Sequence, residues 1–352
     1  MAAGPSVPRR VIYFDVLRIT AIFFVVAVHL SAQHWADVDV SSRAWFAFNL
    51  YCTTGKWSVP VFVMISGALF LGRELEIRAI LKRYMLRIAA AFAFWSAAYA
   101  LHVRALYGIT WEETFFRFFK GHYHMWFLFM IAGLYLITPL LRPIVQNGKL
   151  MRYFLLLALI FTFLLPQSAF FCSFALPQVS DLIRTVLLYT YCFFPLGFTV
   201  YFVGGYYLSR REFNRREEIV LYCIGAAALL FSIAAPIVLS RAQDAPSDAF
   251  YNYNSLNVLL TSVPIFVFAK QHLNFPNMSE RALVTLGKLS KYSFGIYLVH
   301  PMIIELLQHF GIDTFSCNAF FSVPLLAILV FAVSAALSAL LNHIPIVKKY
   351  IV

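Results

Sequence analysis

Apolar runs of about twenty residues recur from one end of this 352-residue chain to the other, separated by short charged connections. A run of that length spans the hydrocarbon of a bilayer as a helix, and a helix satisfies its own backbone polar groups in lipid. With 61% hydrophobic residues, 12% charged residues and 37 Phe, a water-soluble protein of this size would lack the polar surface to cover its apolar inventory. The expected fold is therefore an all-α integral membrane protein. Ten spans fall near 12–33, 44–71, 84–106, 122–144, 152–170, 186–209, 217–240, 255–273, 291–310 and 321–342. No polar stretch is long enough for a soluble domain, so residues 1–352 read as one polytopic unit. The basic start, "MAAGPSVPRR", leads into a long apolar run with no clear small-residue cleavage site, which reads as a retained first span rather than a signal peptide.

A net charge of +12 raises nucleic acid as a partner, and the distribution of the charge answers it. Of the 28 Lys and Arg, seven (Arg43, Lys56, Arg104, Arg117, Lys120, Arg184 and Arg241) fall on one side of the expected membrane and the other 21 on the opposite side. Basic residues that concentrate in alternate loops mark the cytoplasmic face, which puts both termini in the cytosol. The charge is an orientation signal, and nucleic-acid binding need not be invoked. Five cysteines (Cys52, Cys172, Cys192, Cys223 and Cys317) form no CxxC, so neither zinc nor a redox pair is indicated. Cys172 and Cys317 both fall in outward loops, where a bridge is conceivable and two free thiols are the simpler expectation.

The first span, "YFDVLRITAIFFVVAVHLSAQHW", carries Arg18 and His29 eleven residues apart. Eleven steps of about 100° return a helix to nearly the same azimuth, so the two side chains share a face and stand about 16 Å apart. Arg18 is near enough to the cytoplasmic end to snorkel. His29 lies in the outer half of the hydrocarbon, where an ionisable group normally faces a bundle interior or a water-filled cavity. An arginine near the cytosol suits an anionic donor through fork-shaped hydrogen bonds, and a histidine further out suits a general base. Asp15, one turn before Arg18, is placed to orient the guanidinium.

These residues also carry a resemblance. "RITAIFFVVAVH" resembles the Arg/Lys-x10-His pattern of the acyltransferase family 3 membrane proteins. "SVPVFVMISGALF" (58–70) is similar to that family's second-span segment, "YHMWFLFMIAGLYLITPLL" (123–141) to its Tyr-His-x-Trp-Phe-Leu span, and "SKYSFGIYLVHPMII" (290–304) to its late Ser-x-Gly-Ile-Tyr-x-x-His span. Four motifs in order over nearly the whole chain make the match specific. The resemblance implies transfer of an acyl group, usually acetyl from cytosolic acetyl-CoA, to a hydroxyl of an envelope glycan, a lipid-linked saccharide or a similar acceptor. Among the family's branches, the single-domain form most resembles the enterobacterial-common-antigen O-acetyltransferase type, in the bacterial cytoplasmic membrane.

The remaining site residues follow. With the resemblance, His124 and Trp126 enter the acceptor region; by spacing alone, an interfacial aromatic belt explains them as well. His122 and His124, at i and i+2, would point to different sides of a helix, so no metal is expected there. His300, next to Pro301, and Tyr297, on about the same face, can hold a substrate carbonyl, with Tyr297 or a backbone group steadying an oxyanion, or can satisfy each other and the backbone the proline frees. Glu305 is expected to pair with a histidine or an outward arginine. In "RAILKRYMLR", Lys82, Arg83 and Arg87 suit the phosphates of coenzyme A, Arg83 and Arg87 being one helical turn apart on one face, although plain cytoplasmic anchoring predicts the same cluster. A homo-oligomer is compatible with all of this. The competing classes are a transporter whose Arg18 and His29 line a permeation path and a sensor or scaffold. A repeated half would favour transport, and none is present. Only an acyltransferase has reason to bind acyl-CoA.

Overall fold

The computed structural model describes residues 10–190 and 197–352, and every regular element among them is helical. The Cys192 thiol and part of the expected 186–209 span lie outside the described residues. Among the described residues, six stretches are long and apolar enough to cross a membrane: Ile12–Ala32, Ile77–Tyr107, Trp111–Gln146, Gly148–Ala175, Arg215–Gln243 and Ala319–Leu341. Their outward side chains are those of a lipid-facing surface, with Leu140, Leu230, Phe321 and Leu325 all exposed. The other expected spans fall on shorter or differently bounded helices, so the count of ten is not what helix length and apolarity alone return.

In chain order the helices that position the site are α1 (Ile12–Ala32), α2 (Arg43–Thr54), α3 (Ser58–Phe70) and α4 (Ile77–Tyr107), followed by a short amphipathic α5 (Trp111–Lys120) and α6 (Trp126–Gln146). Then come α7 (Gly148–Ala175), α8 (Pro177–Thr190), α9 (Thr199–Arg210), α10 (Arg215–Gln243), α11 (Leu256–His272), α12 (Glu280–His309), α13 (Ala319–Leu341) and a terminal α14 (Pro345–Tyr350).

The expected 44–71 span is two helices. Its break falls at Gly55–Trp57, where the Lys56 N–H turns back to the Thr53 carbonyl and the Ser58 N–H to that of Gly55. Glycine is required there, because an added Cβ would run into the Val28 side chain and the Phe24 carbonyl of α1. Lys56, counted above with the outward cations, occupies this turn, its ammonium 5.0 Å from the Tyr251 ring centre and 5.5 Å from that of Tyr253. Below the break, α3 packs directly on α9. A Cβ at Gly67 would enter the Phe202 backbone, and one at Gly205 the Met64 backbone. Small residues that let two backbones meet are the usual device for joining helices in lipid, where apolar surface alone gives no preference for a neighbouring helix.

The core gathers around α1. Its inner stretch packs Tyr13, Phe14, Leu17 and Ala21 with Met64, Phe202 and Phe266. Its outer stretch packs Ile22, Val26 and Leu30 with Ile296, Ile304 and Val330. Hence α1 is the axis of the bundle, and its Asp15, His29 and Ser31 are turned into it rather than toward lipid. Helix α5 differs: capped by Thr110, which accepts from the Glu113 N–H, it leaves Trp111, Phe115, Phe116 and Phe119 exposed. An apolar aromatic face beside a charged one suits a helix lying in the headgroup layer.

Candidate active site

One cavity of about 510 Å³ runs alongside α1, and both Arg18 and His29 line it. Ligand pockets typically enclose about 300–1,000 Å³, so this is room for a substantial substrate. At the Arg18 end the lining includes Arg87, Tyr135, Lys291 and Lys348; at the His29 end it includes His124, Trp126, Tyr253 and Tyr297. Phe62, Phe127 and Ile131 wall the passage between. A second cavity, about 350 Å³ and lined by Thr162, Gln167, Asn252 and Ser255 among others, contains no titratable side chain.

The cationic end differs from expectation in three ways. Asp15 does not hold Arg18: its Oδ2 accepts from Arg10 Nε at 2.5 Å, because Arg10 precedes the helix and folds over its first turn. Gly287 of α12 makes room for that guanidinium, since a Cβ there would collide with it. Arg18 is left with no hydrogen bond and no ion pair to a described residue. Lys82 and Arg83 are exposed and do not line the cavity. The reason is a π-turn over Ile80–Met85 that resets the helix phase. Arg83 lies over its neighbour Tyr84, its guanidinium carbon 5.6 Å from the ring centre, whereas Arg87 lies over Phe294 at 5.5 Å and donates Nη2–H to the Val352 carbonyl at 2.8 Å. Lys291 and Lys348 take their place. Sequence reading assigned the first to a span boundary and the second to the orientation signal. Lys291 sits inside the "SKYSFGIYLVH" motif, which was the available clue.

At the other end four histidines converge. His300, fully buried on α12, has Nδ1 3.0 Å from the Ile296 carbonyl, so that nitrogen must carry its proton. Its Nε2 is then the lone pair that accepts from His29 Nδ1–H, at 2.8 Å. The tautomer this assigns leaves the lone pair of His29 Nε2 without a partner among the described residues. The His29 and His300 rings stack at 4.9 Å.

His122 and His124 do meet, contrary to the i, i+2 argument. The segment Tyr123–Met125 is a 3₁₀ turn entered from an extended His122, and this brings the two Nδ1 atoms to 3.0 Å. Among the described residues no group of His, Cys, Asp or Glu is arranged to hold a metal. Glu305 faces histidines, one of its two expected kinds of partner, and no arginine among the described residues. One oxygen lies 2.8 Å from His122 Nε2 and the other 3.3 Å from Nε2 of His102, a residue the sequence gave no reason to select. The Tyr297 hydroxyl donates to the His124 carbonyl at 2.7 Å, so its proton is engaged in holding the turn rather than free for an oxyanion. Trp126 stacks on Tyr253 at 5.6 Å, an aromatic platform on the same wall. Cys172 and Cys317 do not bridge; both are free, as are Cys52 and Cys223.

Helix α12 presents His300 beside Pro301, which cannot donate to the Tyr297 carbonyl. One residue further, the Met302 N–H donates at 3.2 Å to the Tyr99 hydroxyl, which itself donates at 2.7 Å to the Leu298 carbonyl. Tyr99 of α4 is thus inserted into the i to i−4 bond of α12. An inserted side chain of this kind is one way a loosened helix in lipid keeps its backbone satisfied.

The chain was compared with known proteins. Searches of curated proteins and of solved structures return no match. The family model for acyltransferase family 3, described as an acyltransferase domain, matches residues 11–343. A chain with several membrane-length apolar helices that matches this model over almost its whole extent is a multi-pass membrane protein, and it belongs to the acyltransferase 3 family.

Proposed function

We propose that the protein transfers an acyl group, acetyl, from cytosolic acetyl-CoA to a hydroxyl of an envelope glycan or lipid-linked saccharide, as a member of the enterobacterial-common-antigen O-acetyltransferase type. On this reading it sits in the bacterial cytoplasmic membrane, crossing it ten times, with both termini in the cytosol. The observation that carries the reading is a single cavity with cations at one end and an unpaired imidazole nitrogen at the other. Arg18, with no hydrogen bond or ion pair to a described residue, and Arg87, Lys291 and Lys348 meet the coenzyme's phosphates and lead its arm inward. The span of about 16 Å between Arg18 and His29 along the helix is comparable to an extended pantetheine arm. The thioester then lies at His29.

In the proposed step His29 Nε2 removes the proton of the acceptor hydroxyl while the oxygen attacks the thioester carbonyl. The C–O bond forms, the C–S bond breaks, and the departing thiolate takes up the proton. General-base assistance of this kind contributes about 10²–10⁴-fold, so alignment of donor and acceptor along the cavity must supply much of the remaining rate. His300 orients His29, Trp126 and Tyr253 offer a face for a sugar ring, and Tyr297 steadies the turn that carries His124.

The test follows label from [acetyl-14C]acetyl-CoA incubated with purified protein, alongside His29→Ala and Arg18→Ala. The reading expects slow thioester hydrolysis or acetyl transfer by wild type, abolished in His29→Ala, and weakened coenzyme binding in Arg18→Ala. A folded wild-type protein that neither binds nor consumes acetyl-CoA would contradict it.

A further inference from the structure

The cavity holds a second imidazole whose hydrogen-bond order is fixed by the chain, and it ends on a carboxylate. Glu305, as a carboxylate, can only accept. His122 Nε2, 2.8 Å from Glu305 Oε1, therefore carries its proton, and in a neutral His122 the lone pair is on Nδ1. That nitrogen faces His124 Nδ1 at 3.0 Å, so His124 must donate there and keep its own lone pair on Nε2. His124 is 2% exposed and lines the cavity, and its Nε2 is buried with no hydrogen-bond partner. A buried acceptor left unsatisfied costs free energy, and on a residue that lines the cavity it is the position a ligand donor would satisfy.

We infer that Glu305, acting through His122, holds His124 as a proton acceptor facing the cavity, so that the site contains a second base beside His29, with Glu305 and His122 as its positioning residues. This rests on the acyl-transfer reading of the cavity. The two arms differ in what backs them. The His29–His300 arm ends on the Ile296 carbonyl, a neutral group. The His124–His122 arm ends on Glu305, whose negative charge offsets the positive charge that a proton on His124 Nε2 creates. His102 Nε2 lies 3.3 Å from the other Glu305 oxygen without a hydrogen bond between them, and the Tyr99 ring stacks on His122 at 4.2 Å.

In the balanced step, with His124 acting as the base in place of His29, the acceptor's O–H bond breaks toward His124 Nε2 as its oxygen forms the C–O bond. The proton rests on the carboxylate-backed His124, and when the C–S bond breaks the thiolate recovers it as thiol. No proton is gained or lost overall.

Two measurements on detergent-purified full-length protein test this. Nitrogen-15 spectra of histidine-labelled protein, assigned with His124→Asn, report which nitrogen of His124 is protonated. Acetyl-CoA hydrolysis, with water as the acceptor, is measured for wild type, Glu305→Gln and Glu305→Asp. The inference expects an unprotonated Nε2 on His124 in wild type. In Glu305→Gln, whose amide can donate as well as accept, that order is lost. The same variant loses about tenfold in kcat, with KM for acetyl-CoA unchanged. Glu305→Asp recovers part of the loss. A His124 protonated on Nε2 in wild type, or a Glu305→Gln kcat within twofold of wild type, would overturn it. A wild type that turns over no acetyl-CoA sinks the acyl-transfer reading instead, and the nitrogen spectra still decide the relay.

Discussion

Arg18 shows at the scale of one residue what an unpaired charge in a membrane bundle implies. Taking a guanidinium from water without a bonded counter-charge is expensive, and Asp15, the nearest acid in sequence, gives its hydrogen bond to Arg10. Arg18→Ala should therefore weaken CoA binding by about 1.5–3 kcal/mol, roughly 10–100-fold in Kd, because it deletes charge-assisted hydrogen bonds to the ligand. The same change should leave the unfolding midpoint of ligand-free protein unchanged or slightly raised, since no hydrogen bond or ion pair among the described residues is lost. Isothermal titration and thermal unfolding separate the two effects. Tyr297→Phe makes the opposite kind of statement. Its hydroxyl holds the His124 carbonyl, so the variant should lose about 0.5–1.5 kcal/mol of stability and less than tenfold in turnover. A loss of several hundredfold with full stability would return Tyr297 to the reacting atoms.

Among the elements, the local breaks carry the site. The π-turn in α4 turns Arg87 toward the cavity and leaves Arg83 outside, the 3₁₀ turn before α6 joins His122 to His124, and Pro301 opens α12 where Tyr99 enters. Replacing Tyr99 by Phe would leave the Met302 N–H and the Leu298 carbonyl facing an apolar ring edge. We expect a loss of about 1–3 kcal/mol, seen as a lower unfolding midpoint, while the ring that stacks on His122 is kept. Gly205→Ala tests the α3–α9 contact, where the new methyl group would enter the Met64 backbone. Overpacking of this kind typically costs about 1–3 kcal/mol, and here neither backbone can yield easily. Thermal unfolding in detergent would detect it, and an unchanged midpoint would mean the helices part without cost. These breaks are also what the sequence concealed. Arg18 and His29 were legible because they ride on one uninterrupted helix, where periodicity converts spacing into direction. Arg83, His122 and His124 were misjudged because an ideal helical turn was applied where the backbone is π or 3₁₀. His102 and Tyr99 were invisible because nothing in α4 singles them out until α12 is packed beside it.

Across the whole molecule, the fold class followed from composition, since so apolar a chain has few ways to hide its surface other than in lipid. The division into spans did not follow as simply. Among the described residues, six helical stretches have the length and apolarity to cross, while the broken pair α2 and α3 follows the course of one expected span with a turn at Gly55–Trp57. What the whole arrangement achieves is continuity. Cations from α1, α4, α12 and α14 gather at one end of a cavity whose other end is closed by histidines of α1 and the turn before α6. The central claim is that an acyl donor bound at the cations reaches the imidazole of His29. Bromoacetyl-CoA tests it directly, because its methylene carbon alkylates the nucleophile it reaches, with loss of bromide. Peptide mass spectrometry should find the adduct on His29, prevented by excess CoA and formed about tenfold or more slowly in Arg18→Ala. An adduct confined to residues outside the cavity, or one that CoA does not prevent, would contradict the account.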